Sequence, residues 1–254
     1  PRSANYKPRI PNSILAIASS VEGLFEYVIV DGNMETDPWE KIHQYLSEGG
    51  FGYFGCTGMP GPQLKQAIPV SQNIRALFPE IKIIWGGYFP SNQSKVVLSS
   101  GYVDFVINGP GEKTFPALLH ALEKNEPFEL IHNLIYRSGE QIIKTPKDEL
   151  YDPDELPALP YDKLNSFYPL KRYLGKTYLG TKTIAYHSSM GCPFKCSFCA
   201  VVPIYNARWR GKSAELIYKD IKHLKENYGG NAIEFHDNNF FVSEKRTVDF
   251  SILI

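Results

Sequence analysis

The sequence predicts an α/β protein built in two parts. Short apolar runs alternate with amphipathic stretches through the first 146 residues. Glycine-containing turns follow several of those runs. After a proline-rich stretch the alternation begins again at Thr183. This rhythm is that of parallel strands with helices packed on the sheet faces.

Taken in order, residues 14–21 (ILAIASSV) read as a buried helix and 27–30 (YVIV) as a strand ending at Asp31. Residues 38–47 form a helix with Asp37 as its cap, since a carboxylate there accepts free backbone N–H groups. A strand over 51–54, a helix over 63–77 and a strand over 81–85 follow. Next come a helix over 93–99, a strand over 103–107 and a helix over 115–124. Residues 130–136 and 141–145 flank Ser138-Gly139 as a small hairpin. The stretch KDELYDPDELPALPYD opens a linker over 147–180, because its prolines disfavour regular structure. The second part, 181–254, has a strand in TIAYHSS, a helix over 214–226, a strand over 232–236 and a helix from Ser243.

Composition narrows the function. Lysine plus arginine and aspartate plus glutamate each total 27, so no basic excess favours a nucleic-acid backbone as partner. No apolar run approaches the roughly 20 residues of a membrane span. The segment PRSANYKPRIPN lacks the apolar centre of a secretory signal. Three of the four cysteines fall within eight residues, a crowding that favours metal binding over a disulfide framework and implies a reducing, cytoplasmic location.

Glycines and short polar stretches follow the predicted strands at Asp31-Gly32-Asn33, Cys56-Thr57-Gly58, Gly86-Gly87 and Gly109-Pro110-Gly111-Glu112. In open α/β sheets that edge is where ligands bind, and the same residues also serve as ordinary strand-to-helix turns. No GxGxxG dinucleotide pattern is present.

The segment SSMGCPFKCSFCAV places Cys192, Cys196 and Cys199 in CxxxCxxC spacing. Three thiolates can ligate three irons of a [4Fe–4S] cube and leave one corner open for a chelating substrate. A structural zinc site needs a fourth ligand, and His187 makes Cys3His the alternative. The segment resembles the radical S-adenosylmethionine (SAM) signature in its GCPxxCxFC form. Phe198 stands where that family has an aromatic residue near the adenine. The run Arg208-Trp209-Arg210 through Ala214-Glu215 resembles the lead-in to the first barrel helix, and Asp237-Asn238-Asn239-Phe240-Phe241 the acidic element after the second barrel strand. The resemblance implies reductive cleavage of SAM at the cluster to a 5′-deoxyadenosyl radical. Asp237 then either faces the adenosyl site or orders its loop. Arg208 and Arg210 either meet an anionic group or stand as solvated charges, the plainer of the two readings.

Residues 1–146 resemble the Rossmann-like cobalamin-binding domain that precedes the radical SAM partial barrel in one large subclass. Trp85-Gly86-Gly87-Tyr88-Phe89-Pro90-Ser91 is similar to its GGxHPT stretch, without the histidine. Residues 103–115, with Gly109-Pro110-Gly111-Glu112, are similar to its D-x-V-x-x-GEGE-x-T-F stretch. The resemblance implies that Cys56, Thr57, Gly58, Gly86 and Gly87 line the corrin, with Gly109 and Glu112 nearby; Glu112 also reads as a helix cap. No DxHxxG histidine is present to ligate cobalt, as in relatives with base-off cobalamin or in a domain that has lost the cofactor. About two strand–helix units of the barrel are present, so the chain is expected to be truncated at both ends. The implied cofactors are a [4Fe–4S] cluster, SAM and cobalamin, with flavodoxin or ferredoxin as electron donor and an unspecified small-molecule or peptide substrate. Methyl transfer to an unreactive centre is the leading reaction. A radical enzyme without cobalamin and a cofactor-binding fragment without turnover are the alternatives.

Overall fold

The computed structural model describes residues 8–254; the first seven residues of the polar N-terminal segment lie outside it. The described chain divides into two compact units. One is Ala16–Glu149. The other joins the described residues through Leu15 to Leu150–Ile254.

Helix α1 (Asn12–Val21) opens the described chain. Helix α2 (Pro38–Glu48) starts at Asp37, whose carboxylate accepts from the Trp39 N–H at 2.9 Å, and Pro38 supplies a helical φ at the first position. Strands β1 (Tyr53–Thr57), β2 (Lys82–Gly86) and β3 (Phe105–Ile107) are parallel neighbours in that order. Helix α3 (Pro62–Leu77) connects the first two. The short helices α4 (Tyr88–Asn92) and α5 (Ser94–Ser99) connect the second to the third. After α6 (Thr114–Lys124), the hairpin β4 (Leu134–Ser138) and β5 (Gln141–Lys144) extends the sheet antiparallel.

The run KIIWG in β2 is apolar without alternation because both faces of this sheet are covered. Ile83, Trp85 and Val106 pack with Val70, Ile74, Val97 and Leu98 on one side. Ile84, Phe105 and Ile107 pack with Leu118, Leu119 and Val21 on the other. Each such side chain contributes roughly 1.5–3 kcal/mol by leaving water. The buried Trp85 indole N–H is satisfied by Ser71 Oγ at 3.0 Å.

Two sequence expectations change here. Residues 27–30 join no ladder, and the sheet edge is β1. Their apolar pattern reflects packing instead: Val30 lies against one core cluster and Tyr27 against the other. The strand expected at 51–54 is shifted to Tyr53–Thr57, so Cys56 and Thr57 are strand residues, opposite Trp85 and Gly86.

In the second unit, the stretch expected as a linker over 147–180 is folded. It contains a 3-10 turn (Pro153–Glu155), helix α7 (Tyr161–Phe167) and a second 3-10 turn (Leu170–Tyr173). Tyr161, Leu164, Leu170 and Tyr173 are buried. The prolines do not oppose this, because Pro153 opens a turn capped by Asp152 and Pro160 sits before the first helical residue, where a missing N–H costs nothing. Strand β6 (Thr183–Tyr186) is followed by β7 (Ser189–Gly191), α8 (Val201–Tyr205), β8 (Trp209–Gly211), α9 (Ala214–Tyr228), β9 (Ala232–Phe235) and α10 (Glu244–Leu253). β6 and β9 are parallel, and β7 and β8 form a small antiparallel ribbon. No closed barrel is present among the described residues. No described helix is long and apolar enough to cross a membrane.

Candidate functional site: a cysteine loop and a glycine shelf

Cys192, Cys196 and Cys199 lie on one loop between β7 and α8. Cys196 is exposed, and Cys192 and Cys199 are half-buried. The loop's start is tightly set. Gly191 has φ +77°, and a Cβ there would stand 2.2 Å from the Arg208 carbonyl oxygen. Only glycine combines that conformation with that approach. At the other end the Cys199 N–H donates to the Cys196 carbonyl at 3.1 Å and leads into α8. Residues 193–198 between these anchors are exposed, Phe198 to 91%.

Among the described residues, no three or more His, Cys, Asp or Glu side chains gather as a metal-binding group. Three thiolates brought together repel unless a cation screens them, so ligation and loop ordering are coupled. The donor chemistry nevertheless fits an iron–sulfur cluster: three soft ligands on one short exposed loop anchored at both ends. His187, the fourth ligand of the zinc alternative, lies ring to ring with His236 at 6.0 Å, and burial holds its pKa below the usual histidine value.

Asp237 follows β9 and turns its carboxylate onto the chain after β6. Oδ1 accepts from the Ser188 N–H at 2.7 Å and the Ser189 N–H at 3.2 Å, and Oδ2 accepts from the Ser188 hydroxyl. These three hydrogen bonds tie Asp237 to the chain that leads into β7. Four further polar groups escaped the sequence reading. Arg246 reaches Ser188, as described below. Lys212 donates to Asp220 at 2.7 Å and to the Tyr186 hydroxyl at 3.0 Å, while that hydroxyl donates to Asp220 at 2.5 Å. Burial first, and then the Asp220 charge, hold the Tyr186 phenol well above its ordinary pKa. One signal for Arg246 was available: it stands in the first turn of α10, where the helix dipole favours acids, so a buried arginine there must serve another partner.

In the first unit, Thr57, Gly58, Gly86, Gly87 and Gly109 meet at the C-terminal edge of the three parallel strands. The Gly58 N–H donates to the Gly86 carbonyl and the Phe89 N–H to the Gly58 carbonyl, both at 2.9 Å. The Gly109 N–H donates to Ser91 Oγ at 3.1 Å. These amides are therefore used within the shelf. Gly87 has φ +92°, and a Cβ there would stand 2.7 Å from Thr57 Oγ1. Cys56 packs on the core, and burial pushes its thiol up to about 12. Glu112 is half-buried and is not the cap of α6, whose first flanking residue is Lys113. Asp31 is buried and accepts from the Asn33 N–H at 2.8 Å, a local turn.

The chain shares the fold of cobalamin-dependent radical SAM enzymes, as the motif resemblance implied. It superposes on OxsB, solved with aqua-cobalamin and S-adenosylmethionine bound, with TM-score 0.81 and 18% identity, over 97% of this chain and 35% of that one. The radical SAM methyltransferase TsrM of Kitasatospora setae, solved with cobalamin and a [4Fe–4S] cluster, gives TM-score 0.72 and 17% identity over 97% and 47%. No protein-family model matches the chain. Among curated proteins, an uncharacterized methyltransferase of Pyrococcus horikoshii is 27% identical over 246 residues, 96% of this chain and 52% of that protein. An anaerobic magnesium-protoporphyrin IX monomethyl ester cyclase of Synechocystis sp. is 29% identical over 65% of this chain and 32% of its own length. The hopanoid C-3 methylase of Methylococcus capsulatus is 28% identical over 63% and 30%. The chain thus spans about half the length of the first of these relatives and about a third of the other two.

Proposed function

We propose that the chain carries the cofactor-binding parts of a cobalamin-dependent radical SAM enzyme acting in methyl transfer to an unreactive centre. The observation that carries this reading is the single loop bearing Cys192, Cys196 and Cys199, anchored between β7 and α8 beside the strand ends of a β/α unit. When bound, a [4Fe–4S] cluster with one open iron supplies the electron that cleaves the sulfonium of SAM. The three cysteines hold its other irons. Phe198, exposed on that loop, would be available to the adenine. Thr57, Gly58, Gly86, Gly87, Gly109 and Glu112 would line the corrin, with Cys56 packed on the core behind them, and Asp237 would order the entrance of the cysteine loop. Flavodoxin or ferredoxin supplies the electron. Two of the three relatives carry methyltransferase or methylase names, which supports methylation as the leading reaction, while the cyclase among them keeps ring formation as the alternative.

A second reading, a radical SAM enzyme without cobalamin, draws on the use of the Gly58 and Gly109 amides inside the shelf. Anaerobic reconstitution with iron, sulfide and cobalamin separates the two. About four irons and one corrinoid per chain support the two-cofactor enzyme. Iron without corrinoid selects the second reading. A folded chain that takes up zinc, or no metal, refutes both.

A further inference from the structure

Ser188 lies four residues before Cys192 and has no solvent exposure. Every polar atom it carries is engaged by groups from other elements. Its N–H and hydroxyl donate to Asp237. Its carbonyl accepts from the Lys212 N–H at 2.8 Å and from Arg246 Nη1 at 3.3 Å, and Nη1 also donates to its hydroxyl oxygen at 3.0 Å. Arg246 comes from α10, is 8% exposed, and uses Nη2 to donate to the Phe240 carbonyl at 2.7 Å. Its guanidinium carbon lies 4.6 Å from the Phe240 ring centroid and 5.1 Å from that of Trp209, a residue of β8. The Trp209 indole N–H in turn donates to the Asn239 carbonyl at 3.1 Å.

This arrangement is dearer than mere packing requires. A buried guanidinium and a carboxylate both lose hydration, and an apolar pair of similar volume would pack as well. What the charges add is direction. One arm of the Arg246 guanidinium, from α10, and both carboxylate oxygens of Asp237, from the loop after β9, converge on one serine, so the peptide at 188 has one orientation. Three residues later Gly191 is locked against Arg208, and the cysteine loop starts from there.

We propose that Arg246 and Asp237 are positioning residues that clamp Ser188 and so set the direction in which β7, and the loop bearing Cys192, Cys196 and Cys199 that follows it, leave the β6 strand end; the catalytic meaning of the clamp rests on the cluster reading above. Arg246 touches neither cluster nor SAM in this scheme. Its effect passes through Ser188 and the β7–β8 ribbon.

The test has one arm that needs no cluster. Amide hydrogen exchange is measured on the purified chain, on Arg246→Met, on Arg246→Lys and on Ser188→Ala, which removes only the hydroxyl joining the two charges. Arg246→Met is expected to speed exchange at the Ser188 and Ser189 amides by about tenfold or more, with β6 and α9 unchanged. Arg246→Lys restores part of that protection, because it keeps the charge and loses the fork. Should Arg246→Met fail to fold, Ser188→Ala carries the same test with a smaller expected change. Unchanged exchange at 188–189, or equal acceleration across the whole unit, overturns the clamp. In the second arm the reconstituted proteins are reduced and their electron paramagnetic resonance spectra recorded with and without SAM. Equal iron content but an altered response to SAM in Arg246→Met supports positioning, and a response identical to the parent overturns it. A parent chain that takes up no iron counts against the cluster reading and leaves the exchange result standing.

Discussion

Replacing Gly191 by alanine tests how strictly the cysteine loop is anchored. The residue has φ +77°, a conformation that costs an L side chain about 1–2 kcal/mol. The added Cβ would also lie 2.2 Å from the Arg208 carbonyl oxygen and 3.1 Å from Tyr205 Cγ. Backbone, not a movable side-chain end, is the obstacle, so β7 and β8 must part by about 1 Å to restore ordinary contact. A shift of that size stretches ladder hydrogen bonds beyond useful length, at about 1 kcal/mol each. The expected total is about 3–5 kcal/mol. Gly229→Ala is the control within the same unit. Its φ is +76°, and the nearest atom to an added Cβ is the Lys182 ammonium at 3.9 Å, so only the conformational cost remains. Urea unfolding of both variants, followed through exchange of the β6 and α9 amides, gives the difference. If Gly191→Ala costs no more than Gly229→Ala, the close approach of β7 to Arg208 does not hold the loop.

Other outcomes follow from the same geometry. Cys196 is exposed and reacts quickly with an alkylating reagent at pH 8, whereas Cys56, with its thiol near 12, has a thiolate fraction of about 10⁻⁴ and reacts only on unfolding; mass spectrometry of the labelled peptides checks this. The same shift makes the first unit's stability pH-dependent. The unfolded thiol ionises near 9 and the folded one near 12, so the stabilisation is complete below 9 and is lost as pH rises through that window. Between pH 8 and pH 10 the parent should lose about 1.4 kcal/mol more than Cys56→Ala in denaturant titrations. Tyr186→Phe leaves the Lys212–Asp220 pair intact and should cost about 1 kcal/mol, while Lys212→Met leaves the partly buried Asp220 carboxylate without its cation, with only the Tyr186 hydroxyl still donating to it, and should cost about 2–4 kcal/mol; reversed ordering in thermal unfolding would refute the triad's hierarchy.

The helices were the most legible part of the chain. The Asp37 cap of α2, the amphipathic stretch over 214–226 and the Ser138-Gly139 hairpin are short-range signals, and each matches its element. The strand expected at 27–30 failed because an apolar run reports burial before it reports pairing. The ribbon of β7 and β8 was invisible for the opposite reason. Ser189-Met190-Gly191 and Trp209-Arg210-Gly211 have neither length nor alternation, and they pair only because Gly191 admits the Arg208 carbonyl.

The candidate site divides along the same line. The sequence by itself determined the chemistry on offer: three thiols at CxxxCxxC spacing, an adjacent aromatic residue, and glycines after parallel strands. These are contiguous, and spacing along the chain is enough to read them. Tertiary structure alone decided how those groups are held. Asp237 meets Ser188 across 49 positions and Arg246 meets it across 58, and the Gly58 and Gly109 amides are used by the end of β2 and by α4. Hydrogen-bond partners so distant in sequence are chosen by the meeting of strand ends, and local composition carries no record of that meeting.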